Sequence, residues 1–393
     1  MSGHRSQNLP PNLPPTQANG DQSPAATGTS HASSPFLAVL PWWSLLFPAL
    51  GLVAVATGLA KLGTIGTIGA GVILIGSVLS AVHHAEVVAH RVGEPFGTLV
   101  LAVAVTVIEV SLIVSLMLSG GGDASTLARD TVFAAIMFIL NGIVGLCMLA
   151  GGVRHHEQRF TQRGVSATLC MLAAMAVLSL VLPNFVSSAP GPSYAPSQLG
   201  FVAVVSIILY GTFVTAQTVR HREYFLPAED DPSHDAHAAP PSVAITWIAF
   251  GTLLEALGSV VFLGKALSGT VETAVVQAGL PLAVVGIVIA ALVLAPEGLA
   301  AYAAARRNRL QTSLNLALGS ALATIGLTIP AVAIVSLVMK LPVSLGIDAK
   351  ALTLLVLSLF VSSLSLGTGR TTVVQGAVHL VIFATYVFTT IVP

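Results

Sequence analysis

Three glutamates stand inside long apolar stretches of this sequence, where an ionisable side chain is costly. Glu109 lies within VAVTVIEVSLIV, Glu297 within LVLAPEGLAAYAAA, and Glu255 midway along the apolar stretch 242–263. A charged residue near the middle of a membrane costs at least ~2.5–3.5 kcal/mol on insertion scales, so its retention indicates a function, often in an ion or proton path. The chemistry to examine first is therefore the binding of cations or protons.

Glu109 and Glu297 are the candidates for one shared site. Two carboxylates brought together repel each other strongly unless protons or a cation neutralise them. Two protons would do this, and so would one divalent cation. Because such a site is not stable when empty, it would hold either protons or the cation, which is the chemical basis of exchange.

A cation site needs more oxygen atoms than two carboxylates supply, since Ca²⁺ takes about 6–8 oxygen ligands. Pro296 removes one helical hydrogen bond next to Glu297 and so frees a backbone carbonyl oxygen. Ser320, Thr324 and Thr328 follow each other at four-residue spacing and form one polar stripe on a helix. The cation or proton site is predicted to include Glu109, Glu297, Asn141, Ser320 and Thr324, with Glu255, Glu94, Glu86 and Asn315 as accessory candidates. For the stripe, Asn141 and Glu255, the alternative is helix packing or a local hydrogen bond.

The composition indicates a membrane protein. Of 393 residues, 54% are hydrophobic and 8% are charged, whereas soluble domains carry roughly 25% charged residues. The net charge is zero, which gives no reason to expect a nucleic-acid partner. The two cysteines, Cys147 and Cys170, both fall in apolar stretches and indicate neither a disulfide framework nor a metal cluster. The expected partners are membrane lipid and transported ions, no cofactor is expected, and a homo-oligomer remains open.

The predicted fold is an all-α integral membrane protein with about eleven transmembrane helices, since about 20 apolar residues cross the membrane. The candidates lie near 37–58, 65–83, 97–118, 131–152, 164–183, 198–218, 242–263, 278–304, 314–338, 350–366 and 372–392. If the chain crosses the membrane at each of these spans, eleven Lys and Arg residues lie on one side of the membrane and five on the other. This imbalance predicts a cytoplasmic N-terminus and an external C-terminus in the cell (inner) membrane.

The helices are predicted to form two inverted halves. Residues 1–35 read as a disordered tail, 36–219 as the first helix plus repeat 1, 220–241 as a cytoplasmic linker, and 242–393 as repeat 2. Each repeat holds five helices, and an odd number forces the two repeats to cross the membrane in opposite directions. Glu109 and Glu297 then occupy the second helix of each repeat.

The stretch HHAEVVAHRVGEPFG (83–97) offers a different chemistry, because it concentrates His83, His84, Glu86, His90 and Glu94. One interpretation is a solvated mouth that funnels protons or cations. Another is the metal site of a membrane-embedded hydrolase, although the spacing typical of metalloproteases, HExxH, is absent. A passive cation channel and a scaffold protein are further alternatives, but a scaffold leaves the buried acids unexplained.

Two segments of the sequence resemble a known family. RVGEPFGTLVLAVAVTVIEVSLI (91–113) and LAPEGLAAYAAARRNRLQTSLNLALGSALATIGLTIPAV (294–332) are similar to the two α-repeats of the Ca²⁺/cation antiporter superfamily. The nearest branch is that of the bacterial ChaA-type calcium (sodium, potassium)/proton antiporters, related to the CAX exchangers. The resemblance extends over 36–393 and includes the eleven-helix layout.

The resemblance implies a secondary active antiporter that exports Ca²⁺, or alternatively Na⁺ or K⁺, in exchange for protons by alternating access. It implies that Glu109 and Glu297 bind the cation or proton. It also implies that Gly319 and Ser320 match the Gly-Ser of the second repeat, and that Asn141 matches the polar position on the helix after the first. CAX repeats carry Gly-Asn before each acid, whereas Val105-Thr106 and Val293-Leu294 stand here. Thr106 is therefore an accessory candidate. The loss of the amide oxygens implies a site that also accepts Na⁺ or K⁺, and no enzyme activity is expected.

Overall fold

The computed structural model describes residues 39–93, 96–119, 124–225 and 240–392. Within these residues, ten helices are long and apolar enough to cross a membrane, and one further apolar helix is shorter. The protein is therefore a multi-pass membrane protein made almost entirely of helices, as predicted. The helices are α1 (Trp42–Ala56), α2 (Gly63–Val92), α3 (Phe96–Ser119), α4 (Leu127–His155), α5 (Gln162–Asn184), α6 (Pro196–Arg220), α7 (Val243–Gln277), α8 (Ala283–Arg306), α9 (Leu310–Met339), α10 (Ala349–Leu366) and α11 (Val373–Ile391).

Short elements connect some of these helices. Three 3₁₀ turns lie at Leu59–Lys61, Ala124–Thr126 and Arg222–Tyr224. Strands β1 (Gln158–Arg159) and β2 (Arg370–Thr371) pair antiparallel. The predicted tail 1–35 and most of the predicted linker 220–241 lie outside the described residues.

The first predicted span is shorter in the structure than in the sequence prediction. Helix α1 has 15 residues, or about 22 Å, against the ~30 Å of a hydrocarbon core. It begins after Pro41 and ends before Gly58. Gly58 has a φ of 67°, a left-handed conformation that glycine adopts readily because it has no side chain. By contrast, α2 with 30 residues and α7 with 35 are longer than predicted, and both exceed the membrane thickness.

The two halves interlock across the molecule. The last helix of each half packs against the third helix of the other half, so that α6 contacts α9 and α11 contacts α4. The acid-bearing helices repeat this crosswise pattern, because α3 contacts α9 and α8 contacts α4. The long helices α2 and α7 pack against each other. This reciprocal packing is the arrangement expected of inverted repeats.

The connections gather at two opposite ends of the bundle. At one end β1 pairs with β2, Arg91 Nη1 donates to the carbonyl oxygen of Pro241, and Asn315 Nδ2 donates to that of Phe225. At the other end the backbone N–H of Ser344 donates to the carbonyl oxygen of Ser125. These connections follow the alternating threading that the sequence predicts. We call these two ends the arginine-rich end and the lysine-containing end.

Helices α4 and α9 each contain a π-helical turn near the middle, at Phe138–Ile143 and Thr324–Thr328. These two helices hold the same position in the two halves, directly after the acid-bearing helix. A π turn inserts a residue into the helix and is frequent at functional sites. Further π turns occur at Val177–Val181 in α5 and Ala216–Arg220 in α6.

Helix α4 is the most enclosed of the described spans. Within its most apolar 18 residues, 83% are buried, whereas the same fraction is 28% for α10 and for α11. It admits α11 at very close range because both helices carry glycine at the crossing. A β-carbon placed on Gly376 would lie 2.8 Å from Cα of Leu149 and 2.9 Å from the carbonyl oxygen of Gly145. Both obstacles are backbone atoms, so side-chain rotation cannot make room.

We predict that Gly376→Ala lowers the thermal midpoint of the purified protein by several degrees, because overpacking typically costs ~1–3 kcal/mol. The control is Gly211→Ala on α6, where the added β-carbon meets no atom within 4 Å. Thermal unfolding in detergent measures both variants. A Gly376→Ala protein as stable as the control would contradict this packing.

Candidate functional site

Glu109 is enclosed in the middle of α3, with 2% of its surface exposed. The π turn of α9 packs against α3, and Thr328 Oγ1 of that turn donates to Glu109 Oε2 at 2.9 Å. Thr324, at the start of the same turn, also faces this carboxylate. The second oxygen, Oε1, is buried and has no hydrogen-bond partner. One side of the carboxylate is thus held by the opposite half, and the other side remains available for a ligand.

Glu297 lies on α8 with 8% of its surface exposed, and its Oε2 atom is also buried without a hydrogen-bond partner. Pro296 stands inside the continuous helix and lacks the N–H that would bond the carbonyl oxygen of Leu292. On the other side, Gly298 permits close packing against α4. A β-carbon on Gly298 would lie 3.1 Å from Cδ1 of Ile143, in the π turn of that helix.

Glu297 lies within electrostatic reach of Glu109, and the helices that carry them contact each other. Two buried carboxylates that repel each other cannot both stay ionised in an apolar surrounding without compensation. Each keeps one oxygen atom free of protein hydrogen bonds. The arrangement can therefore take protons on these oxygens, or a cation between them. Helices α3 and α8 meet here, as expected for equivalent helices of inverted halves.

The other predicted donors divide between this site and its surroundings. Thr324 lies at the Glu109 carboxylate, together with Thr328, which the sequence placed in the same stripe. Ser320 is half-buried one turn away on α9. Asn315 lies at the arginine-rich end, where it donates to the carbonyl oxygen of Phe225 and accepts from Gln311 Nε2. The polar stripe thus meets the acids at its C-terminal part.

Asn141 is fully buried in the π turn of α4, and its side chain bonds to α10 and α11. Asn141 Nδ2 donates to Ser358 Oγ at 2.8 Å, and Oδ1 lies 3.1 Å from His379 Nδ1. In this conformation the amide is engaged by these two residues. Neither Ser358 nor His379 is among the residues predicted from the sequence, although His379 is an ionisable residue inside an apolar span and could have been found by the rule that identified the glutamates.

The accessory candidates lie on helices around the acid pair. Glu86 on α2 is exposed and lies within electrostatic reach of Glu297. Glu255 is half-buried on α7, which packs against α2 and α3. Thr106 Oγ1 donates to the carbonyl oxygen of Ala102 in its own helix at 2.8 Å. Glu94 lies outside the described residues.

The histidines at the end of α2 hold α1 in place. His83 Nε2 donates to the carbonyl oxygen of Val39 at 3.0 Å, and His84 Nε2 donates to that of Ser44 at 3.2 Å. In the described part of the chain, no group of three or more His, Cys, Asp or Glu residues could hold a metal ion.

Residues 62–219 and 248–392 match the family described as sodium/calcium exchanger protein. The chain belongs to this family. Exchangers of this family are transporters rather than enzymes, and the predicted membership of the Ca²⁺/cation antiporter superfamily is confirmed.

Three relatives of this exchanger cover most of its length. It is 48% identical over 360 residues to the protein y4hA of Sinorhizobium fredii, and the aligned region covers 90% of this chain and 97% of that protein. It is 34% identical over 360 residues to the sodium-potassium/proton antiporter ChaA of Escherichia coli, with 88% and 95% coverage. It is 25% identical over 284 residues to the Ca²⁺/H⁺ antiporter of Aphanothece halophytica, with 68% and 76% coverage.

Solved structures share the fold of this exchanger. The H⁺/Ca²⁺ exchanger CAX gives a TM-score of 0.67 at 15% identity, covering 90% of this chain and 87% of that chain. Native YfkE gives a TM-score of 0.64 at 18% identity, covering 87% and 100%. At these identities the likeness shows the common fold alone.

We predict that Thr328→Val raises the KM for the transported cation about tenfold, because a hydrogen bond to a charged group contributes ~1.5–3 kcal/mol. The matched control is Thr353→Val on α10, whose exposed hydroxyl bonds to the carbonyl oxygen of Ala349 in its own helix. Initial rates of exchange in vesicles give both values. An unchanged KM in Thr328→Val would mean that this bond does not shape the site.

Proposed function

We propose that this exchanger is a secondary active antiporter that moves Ca²⁺, Na⁺ or K⁺ against protons by alternating access. One observation carries the proposal: Glu109 and Glu297 lie on contacting helices of opposite halves, and each keeps a buried carboxylate oxygen without a protein partner. Such a pair needs positive charge from protons or from a cation. Its occupation by one therefore excludes the other.

Proton coupling draws further support from the relatives. The Escherichia coli protein at 34% identity is a sodium-potassium/proton antiporter, and the Aphanothece halophytica protein at 25% identity is a Ca²⁺/H⁺ antiporter. Both are antiporters that use protons, while their cations differ. We extend to this chain what they have in common and leave the cation to be ranked by experiment.

The geometry suggests how the exchange works. Glu109 and Glu297 take up protons while the site is open to the outside and release them when it is open to the cytoplasm. In the other half of the cycle the ionised carboxylates hold the cation, with the hydroxyls of Thr324 and Thr328 as neutral oxygen donors. The exchanged species share the same oxygen atoms, so the gradient of one drives the other.

We further propose that the arginine-rich end faces the cytoplasm, in the cell (inner) membrane. The eleven basic residues that the threading assigns to the inner side include Arg154, Arg159, Arg306, Arg307 and Arg370. The opposite side has five, among them Lys265, Lys340 and Lys350. An excess of Lys and Arg in cytoplasmic loops is the general rule of membrane topology.

We predict that Glu109→Gln and Glu297→Gln each abolish proton-coupled cation movement, while the protein still accumulates in the membrane. Glutamine keeps the shape of glutamate but cannot exchange a proton or balance a cation charge. Everted vesicles with a pH-sensitive dye measure proton movement on the addition of Ca²⁺, Na⁺ or K⁺. The same panel ranks the cations.

Glu157→Gln is the matched control, because this glutamate lies at the arginine-rich end, paired with Arg159 and Arg370 and 43% exposed. It should transport as the wild-type protein does. Normal exchange by either Glu109→Gln or Glu297→Gln would refute the role of that residue. Cation conductance without proton movement in the wild-type protein would instead identify a passive channel.

A further inference from the structure

A buried histidine lies at the crossing of α11 and α4, and the acid pair does not include it. The ring of His379 has 0% exposure, and both of its nitrogens meet polar atoms. Nδ1 lies 3.1 Å from Asn141 Oδ1, and Nε2 lies 3.1 Å from Ser365 Oγ. Helices α4, α10 and α11 are thus joined by one hydrogen-bonded network, formed by Asn141, Ser358, Ser365 and His379.

The directions of the two hydrogen bonds made by the Asn141 side chain follow from the available donors. Ser358 Oγ donates its single proton to the carbonyl oxygen of Leu354 at 2.7 Å, so it accepts from Asn141 Nδ2. Asn141 Oδ1 therefore faces His379 as an acceptor, and His379 Nδ1 must be the donor. On the other side of the ring, Ser365 Oγ lies 3.1 Å from Nε2 and also donates to the carbonyl oxygen of Val361 at 2.7 Å, so its single proton has two acceptors within reach.

The backbone that carries His379 lies very close to α4. A β-carbon placed on Gly145 would lie 2.9 Å from the β-carbon of His379, so the two backbones approach as closely as glycine permits. The network therefore fixes the orientation of Asn141, and with it one face of the π turn Phe138–Ile143. Two residues further on, Ile143 packs against Gly298, beside Glu297. The π turn stands between His379 and the acid.

The two acids are supported differently. Glu109 receives a hydrogen bond from Thr328, a hydroxyl of the π turn in the opposite half. The π turn that faces α8 reads FILNGI and contains no serine or threonine. Its one polar side chain, Asn141, bonds to Ser358 and His379 instead. The position of Glu297 therefore depends on packing against the π turn of α4, and Ser358 and His379 hold that turn on its opposite side.

We propose that His379 is a positioning residue of the exchanger: through Asn141 it fixes the π turn of α4 against α8 and so sets the geometry of Glu297. The inference rests on the proposed function, because it assigns His379 a part in cation binding by that same site. It makes His379 necessary for the affinity of the site, although the residue does not contact the cation.

The test compares His379→Leu with His379→Asn in everted vesicles with the pH-sensitive dye. Leucine leaves Asn141 Oδ1 without a donor, whereas the asparagine amide places a donor where Nδ1 stands. We expect KM for the cation to rise about fivefold to tenfold in His379→Leu and to return to within about twofold of wild type in His379→Asn. A purely structural role would lower the amount of folded protein and leave KM unchanged.

A double-mutant cycle tests whether the effect passes through Asn141. If it does, Asn141→Leu combined with His379→Leu raises KM no further than the stronger single variant. Multiplying effects would overturn the proposal, and so would a KM within about twofold of wild type in His379→Leu. Should His379→Leu fail to accumulate, Ser358→Ala removes the other partner of Asn141 and is expected to raise KM in the same direction; an unchanged KM there would overturn it too.

Glu297→Gln in the same vesicles separates the two hypotheses. If Glu297→Gln abolishes exchange and the His379 and Ser358 variants keep their KM, this inference alone fails. If Glu297→Gln retains exchange, the proposed function fails first.

Discussion

The central constraint in this structure is the repulsion between two carboxylates inside an apolar bundle. Glu109 and Glu297 are almost fully enclosed, and each keeps one oxygen atom without a protein partner. Burial of unpaired charge is unfavourable by several kcal/mol, so the pair is stable only when protons or a cation share the site. The rest of the fold can be understood as the means of holding the pair together. The crosswise packing of the two halves brings α3 and α8 into contact.

The support around the pair is not symmetric, although the fold is built from repeats. Thr328 bonds to Glu109 directly, whereas the turn beside Glu297 is held by Asn141, Ser358 and His379. Pro296 adds a second difference. It removes a backbone N–H from α8, which carries Glu297, whereas α3, which carries Glu109, contains no proline. Unequal surroundings allow the two carboxylates to differ in proton affinity. An exchanger can use such a difference to release one proton before the other.

Much of this could be predicted from the sequence, because the cost of polar groups in lipid leaves a strong signal. Long apolar stretches gave the spans, and the rarity of intramembrane carboxylates singled out Glu109 and Glu297. The predicted length of the first span was too great, because Pro41 and Gly58 limit α1 although the apolar stretch extends further. The π turns could not be predicted, because FILNGI and TIGLT are compatible with an ordinary helix and only tertiary packing inserts the extra residue.

The hydrogen-bond partners of the buried side chains could not be predicted from the sequence for a related reason. Whether Asn141 faces α8 or α11 depends on the rotation of α4 about its axis, which is set by glycine contacts with another helix. The sequence predicts His83 and His84 at a solvated mouth or a metal site, and the structure adds their hydrogen bonds to the backbone carbonyl oxygens of Val39, just before α1, and of Ser44, in its first turn. Hydrogen bonds to a distant backbone leave no pattern in the sequence.

Proton release on cation binding tests the central claim most directly. Purified protein in weakly buffered detergent, with a pH-sensitive dye, is titrated with the preferred cation while calorimetry follows binding. Protons should leave the protein as the cation binds, with the same saturation curve, and the release should vanish in a Glu109→Gln/Glu297→Gln double variant. Cation binding to the wild-type protein without proton release would contradict the idea that both compete for one pair of carboxylates.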